Sequence, residues 1–293
     1  MEITALVHTH GKPEVTWDTV DSINHYMTNQ VLLLVDEAGW SNFDPKNTPV
    51  NMLKGFYHGH PKAPYRNVAL GLLATAQHWP KSDWYAYMEY DALVGSSAFK
   101  QDLAALEKQN VWLVGNDYRE HEERKGIKFP LLESVAGSKF DEIVYLLGAV
   151  MFFNKKFVEK LMYENFLERF LYYTNDFRAG FFPNYNGPAA WDLSEHMYPT
   201  LAKHWGGTVM QFAKWKAEAN MWLGGNYRRY PIRWQPDLQP IEQEYLQASI
   251  MHPLKELDHP IREFHRAKRS RKKGEEHDTA GSKKDTITIV RPV

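Results

Sequence analysis

Two carboxylates, Glu89 and Asp91, stand one residue apart at the end of an aromatic run, "DWYAYMEYDALV", over residues 83–94. Like charges this close repel, and burying them unpaired is costly. Side chains at i and i+2 of a strand face the same side, so this spacing lets both carboxylates approach one divalent cation. An edge strand whose acids simply face water is the alternative. The position favours the cation, because ligands of open α/β sheets bind outside the carboxyl ends of buried strands.

The elements that must position this pair follow from the apolar pattern. Residues 3–7 form a short β-branched run, and "HTHGKP" after it reads as a loop. Helical spacing follows over 15–29, with Thr16 or Asp18 as expected N-caps. "VLLLVDEAG" is a continuous apolar run, the pattern of a strand buried on both faces. A Pro- and Asn-containing stretch leads to the helix "RNVALGLLATAQHW", and the aromatic strand comes next. A helix over 97–109 and the strand "NVWLVGND" complete a strand–helix alternation that predicts a parallel α/β sheet. Further on, 117–128 is charge-rich and reads as a loop or lid. "EIVYLLGAVMFFN" reads as a strand, "KKFVEKLMYENFLERFLYY" as one helix, part of 188–205 as another helix, and "TVMQF" as a strand.

Composition narrows the function classes. The 293 residues are 43% hydrophobic, enough for a sizeable core, and the formal net charge of −1 excludes electrostatic binding of nucleic acid by the whole molecule. Without cysteine there are no disulfides, thiolate metal sites or cysteine nucleophiles. The start, "MEITALVHTH", lacks the form of a signal peptide, and no apolar stretch reaches the roughly 18 residues of a spanning helix. A cytoplasmic protein is expected. The sequence "HTH", His8 to His10, has the spacing of a metal pair in barrel hydrolases, and "YHGH" adds His58 and His60. Such a barrel needs about eight strand–helix units, more than the pattern supplies, so loop histidines are the plainer reading.

Around "EYD" the chain resembles the nucleotide-sugar glycosyltransferases of GT-A type, in a family-2-like form. Their acidic motif sits at this place and holds Mg2+ or Mn2+ against the donor diphosphate. The resemblance makes Asp91 the direct ligand and puts Glu89 nearer the ribose or a metal-bound water, a departure from two aspartates. "YRNVALGLLATA" is similar to a helix whose start, here Arg66 and Asn67, lies by the nucleotide. In "VDEAG" the resemblance gives Asp36 a contact to base or ribose, and Thr9 at the first strand end also faces the nucleotide. "LLGAVMFFNKKFVEKL" is similar to the glycine-containing strand and helix after the metal motif. "SEHMYPTLAKHWGG" resembles the acceptor-side segment, where an acidic pair precedes a helix. Glu195 takes the first acid of that pair and the place of catalytic base; His196 stands at the second. Asp192 is the rival base, and a plain capping box in "DLSE" is the alternative to both. Trp191 is the expected platform for an acceptor ring, or a core tryptophan. In "MHPLK" the resemblance has His252 completing the metal shell and Lys255 pairing with diphosphate.

The resemblance implies an open, mainly parallel GT-A-like sheet flanked by helices, one domain over residues 1–260. It also implies transfer of a sugar from a nucleoside-diphosphate donor to a carbohydrate or other hydroxyl acceptor. Inversion is the expected course, with retention left open. A nucleotidyltransferase is one rival; it normally carries a glycine-rich basic loop after the first strand, where "HTHGKPEV" offers one Gly and one Lys. A non-catalytic nucleotide or sugar binder is the other. Residues 261–293 are expected as a basic polar tail. "RAKRSRKK" would contact an anionic membrane face or polyanionic acceptor, its removal after Glu263 leaving turnover unchanged; a solvated tail is the alternative.

Overall fold

A computed structural model describes residues 1–56, 63–122, 133, 136–175, 193–211, 232–234 and 248–275. In chain order the first half contains β1 (Ile3–Thr9), α1 (Pro13–Tyr26), β2 (Val31–Val35), β3 (Asn51–Lys54), α2 (Ala63–His78), β4 (Trp84–Glu89), β5 (Leu93–Val94), α3 (Phe99–Glu107) and β6 (Val111–Glu122). The second half adds β7 (Ile143–Asn154), α4 (Lys155–Tyr163), α5 (Phe166–Asn175), α6 (Leu193–His204), β8 (Thr208–Gln211), β9 (Ile232–Trp234), β10 (Ile250–His252) and α7 (Pro260–Glu275).

The main sheet has seven strands in the order β3-β2-β1-β4-β7-β6-β8. All its neighbours pair in parallel except β7, which is antiparallel to both β4 and β6. The open, mainly parallel α/β sheet expected from the sequence is therefore present. Its strands alternate between two cores. Leu6, Leu32, Leu34, Tyr85, Tyr87, Met151 and Phe153 face one core, with apolar residues of α2, α4, α5 and α6. Ala5, Val7, Leu33, Val35, Trp84, Met88 and Phe152 face the other, with those of α1 and α3. Burial on both faces is why "VLLLV" carries no polar position; each such side chain contributes about 1.5–3 kcal/mol. Gly71 lets α2 lie close on β1, since a Cβ there would run into Leu6.

Several boundaries differ from the sequence reading, each for a local reason. The helix α1 begins at Pro13, whose fixed φ suits the first helical turn, so neither Thr16 nor Asp18 is its cap. The strand β6 runs on to Glu122, so 117–122 belongs to the sheet and is no lid; 123–128 lies outside the described residues. The single helix expected over 155–173 is two, α4 and α5, with Asn165 at φ 49 between them, a left-handed conformation that Asn tolerates. The aromatic strand stops at Glu89. A short second sheet, in the order β5-β10-β9, then carries Leu93 and Val94, and its β9 and β10 were not foreseen. No described helix is long and apolar enough to cross a membrane.

The expected polar tail opens with the helix α7, packed on α1 and the second sheet. Ile261 joins Leu93, Ala248, Met251 and Leu254 in a small core. Arg262 donates to Asp18 Oδ2 at 2.6 Å, Arg269 donates to Asp18 Oδ1, and Lys268 donates to Gly95 O at 3.3 Å. Arg266 donates to Leu257 O at 2.7 Å. Of the basic run, Arg266, Lys268 and Arg269 thus turn toward the protein, while Arg271 is exposed; 276–293 lies outside the described residues. Truncation after Glu263 is now expected to be harmful. It removes Arg269, the second of the two guanidiniums on buried Asp18, together with most of the helix, and is read as a lower urea midpoint. An unchanged midpoint would show that α7 is dispensable.

Candidate functional site

Three potential ligands converge at the carboxyl end of β4, beside β1. Glu89 ends the strand, Asp91 sits in the turn that follows, and His252 ends β10. Their nearest ligand atoms all lie within 4.8 Å of one another. The strand-spacing argument for the pair is corrected here. Asp91 is not on the strand, because the chain turns after Glu89 and the Ala92 N–H donates back to Glu89 O at 3.0 Å. The turn separates the two environments: the Glu89 side chain is 42% exposed and that of Asp91 4%.

His252 Nε2 lies 2.9 Å from Glu89 Oε2 and 2.9 Å from Asp91 Oδ1. One ring proton cannot serve both; it is shared with Glu89. Asp91 Oδ1 is left buried without a hydrogen bond, aimed at the centre of the group. Burial pushes the His252 pKa down, but the Asp91 and Glu89 carboxylates beside its ring outweigh this and raise it to about 9. Burial also pushes the Asp91 carboxyl up, and the His252 ring outweighs it, holding Asp91 below the usual range; Lys255 adds to this. A proton shared among an imidazole and two carboxylates and a divalent cation held by them neutralise the same charges in two ways. An orphaned carboxylate oxygen, a second carboxylate and an imidazole nitrogen form a donor set that suits Mn2+ or Mg2+.

Lys255 follows His252 by three residues, and its carbonyl accepts from Lys12 Nζ at 3.0 Å. Lys12, the one lysine of the loop after β1, also pairs with Glu256 at 2.7 Å. It is thereby engaged with the late segment of the chain.

Glu195 lies in the first turn of α6. Its Oε1 accepts from the Gly148 N–H at 2.7 Å. This contact needs glycine, since a Cβ at Gly148 would lie 2.8 Å from Glu195 Cγ. It also needs a free N–H: the β6–β7 register jumps between Val114–Phe152 and Asn116–Leu147, and Gly148 falls in that irregular stretch. Tyr87, which shares the Glu89 face of β4, is fully buried. Its hydroxyl pKa rises well above the ordinary value through burial first, then through the charges of Glu89 and Glu195. Glu195 and Glu89 therefore both act on the Tyr87 hydroxyl. His196 is buried against Tyr145, with ring centroids 5.0 Å apart. Asp192 and Trp191 lie outside the described residues.

The remaining expected nucleotide contacts have structural bonds of their own. Asn67 Oδ1 accepts from the Phe56 N–H at 2.7 Å, which turns Asn67 Nδ2 toward His8 Nε2 at 3.2 Å. The His8 proton then sits on Nδ1, 3.2 Å from the Tyr87 hydroxyl. His8 is thus a buried link between β1, α2 and β4 rather than half of a metal pair with the exposed His10, while His58 and His60 lie outside the described residues. Arg66 stacks its guanidinium on Phe56, 3.7 Å from the ring centroid. Asp36 is buried and its Oδ1 accepts from the Gly39 N–H at 2.8 Å, closing the turn after β2. Thr9 is also buried, its hydroxyl donating to Gly11 O at 2.8 Å.

No protein-family model matches the chain, and no curated protein does. Among solved structures, similarity is found to a glycosyltransferase involved in glycosylation of the major capsid of PBCV-1, at 12% identity and TM-score 0.41 over 91% of this chain and 100% of that one. The 4-diphosphocytidyl-2C-methyl-D-erythritol synthase of Anaerococcus prevotii matches at 15% identity and TM-score 0.32, over 58% of this chain and 82% of that one. The mannose-1-phosphate geranyltransferase of Thermus thermophilus matches at 14% identity and TM-score 0.36, over 73% of this chain and 70% of that one. Likenesses at these TM-scores carry no argument about activity, which has to rest on the site itself.

Proposed function

We propose that this chain is a divalent-cation-dependent glycosyltransferase of GT-A type. It would move a sugar from a nucleoside-diphosphate donor to a hydroxyl acceptor with inversion. The observation that carries the reading is the convergence of Glu89, Asp91 and His252 at the carboxyl end of the central strands, with Asp91 Oδ1 buried and unbonded. Such strand ends are where α/β sheets bind phosphorylated ligands. Asp91, His252 and Glu89 would hold the cation, which would supply neutralisation of the diphosphate charge.

The chain's own residues do the rest. Lys255 brings an ammonium to the same end of the sheet and pairs with the departing diphosphate. Glu195 holds the acceptor hydroxyl and takes its proton at Oε2, the oxygen not bonded to Gly148; Asp192 is the rival for that proton. Trp191 offers a face for the acceptor ring. Thr9, Asp36, Arg66 and Asn67 build the floor of the nucleotide pocket, through backbone and buried side-chain bonds as much as through direct contact.

A thermal-shift panel of nucleoside diphosphates, each with and without Mn2+, tests the reading. One nucleotide is expected to raise the melting temperature in a Mn2+-dependent way, since a ligand at 100 times its Kd stabilises by about 2.7 kcal/mol. If no nucleoside diphosphate shifts the transition with either Mn2+ or Mg2+, the proposal fails.

A further inference from the structure

Behind the ligand group sits a guanidinium that donates in three directions. Arg262 on α7 is 0% exposed. Its Nε donates to Leu254 O at 2.9 Å and its Nη1 to Asp18 Oδ2 at 2.6 Å. Its Nη2 donates to Thr19 Oγ1 and to Ala92 O, both at 3.2 Å. Ala92 directly follows Asp91, and Leu254 lies two residues after His252. The Leu254 N–H in turn donates to Asp91 O at 2.8 Å. The Thr19 hydroxyl lies 2.5 Å from both Tyr90 O and Ala92 O, sharing its one proton between them while accepting from Arg262. One side chain thereby ties the turn that carries Asp91, the strand end that carries His252, and α1.

We propose that Arg262 is a positioning residue, which sets the cation affinity of the Glu89–Asp91–His252 group by holding those two backbone segments against each other. This rests on the reading of the group as a cation site. Asp91 and His252 come from distant parts of the chain, so their ligand atoms are only as well placed as the seam between the two segments. The seam is closed by the Leu254–Asp91 bond and by the guanidinium that grips a carbonyl on either side of it. The planar fork is what the task requires. A lysine ammonium would satisfy Asp18 as a point charge, but it cannot span Leu254 O and Ala92 O at once.

Arg269 provides a matched control. It is also buried, at 6% exposure, and pairs with the same Asp18, yet its described hydrogen bond goes to that carboxylate and not to either segment. Arg262→Lys and Arg269→Lys therefore separate positioning from mere stability. The measurements are Mn2+ affinity by calorimetry and hydrogen exchange of the Leu254 amide, with melting temperature recorded for both variants. Arg262→Lys is expected to bind Mn2+ about 10-fold more weakly or worse, the scale of lost outer-shell support, and to exchange the Leu254 amide faster. Arg269→Lys is expected to melt earlier while keeping wild-type Mn2+ affinity and exchange. Equal effects of the two substitutions on affinity, or wild-type affinity in Arg262→Lys, would overturn the proposal. If the wild-type chain itself binds no Mn2+, the cation reading fails on its own. Leu254 exchange then decides the positioning role: faster in Arg262→Lys alone upholds it, equal in both variants ends it. Should Arg262→Lys not fold, Thr19→Val removes the hydroxyl between α1 and the Asp91 turn while sparing the Arg262–Asp18 pair. It must weaken Mn2+ binding in the same direction, and unchanged affinity overturns the proposal.

Discussion

Asp91→Asn is expected to abolish Mn2+-dependent nucleotide binding while leaving the chain folded. The substitution preserves size in a site where the side chain is 4% exposed, so packing is retained. It removes one of two carboxylates and replaces the charged oxygen that faces His252 Nε2 at 2.9 Å with a neutral amide. Losing a ligand outright should exceed the roughly 10- to 100-fold that loss of an outer-shell partner typically costs. Calorimetric titration of Mn2+ with a nucleoside diphosphate, alongside a melting curve, reads both parts. Wild-type affinity in this variant would show that Asp91 holds no cation, and a collapsed melting curve would show that its charge is structural.

Glu195→Gln is expected to leave donor binding and melting temperature at wild-type values while sugar transfer falls at least about a hundredfold, the lower end of what a general base contributes. The structure explains why the two readouts should part. The glutamine carbonyl oxygen can still accept from the Gly148 N–H, which keeps the side chain where Glu195 Oε1 now lies, 2.7 Å from that nitrogen. What is lost is the carboxylate charge and with it the capacity to take a proton. Release of nucleoside diphosphate from sugar donors of the nucleotide identified by thermal shift provides the rate. Asp192→Asn is the control, expected to act as a mild change of helix cap, because Asn caps nearly as well as Asp. A reversed pattern moves the base to Asp192, and a change of only a few-fold in both removes this segment from the mechanism.

The sheet is legible in the sequence where burial is two-sided. Val31–Val35 can only be an interior strand, since every position faces a core. The edge is harder to see: Asn51–Lys54 of β3 is half-buried to exposed and carries no period, and β9 and β10 are three residues each. The ligand group is legible in its members but not in its geometry. Period-two reasoning requires a strand through Asp91, whereas the convergence comes from a turn after Glu89 and from a strand end 163 residues away. His8 shows the converse, a histidine whose spacing suggests metal and whose ring is taken by Asn67 and Tyr87. The helix α7 is hidden by its charge. Its signal is the four-residue spacing of Ile261, His265 and Arg269, all buried, within a run whose composition reads as solvated. Nothing in the sequence marks Asp18 as the partner that takes Arg262 and Arg269 inside.

The lateness of His252 and Arg262 in the chain has a consequence for the order in which this protein comes into being on the ribosome. Glu89 and His252 are 163 residues apart, and Asp18 and Arg262 are 244 apart. At about 5–20 residues per second, the carboxylate pair waits on the order of ten seconds or more after its own synthesis for the imidazole that completes the group. Strands β1 to β4 are meanwhile available to pair, so the growing chain carries a sheet end with two acids and no cationic partner. A half-made chain thus lacks the imidazole of the Glu89–Asp91–His252 group until residue 252 has been added. A chain interrupted before residue 252 would leave Asp91 facing water rather than histidine, a feature by which unfinished copies differ from complete ones in charge as well as in length.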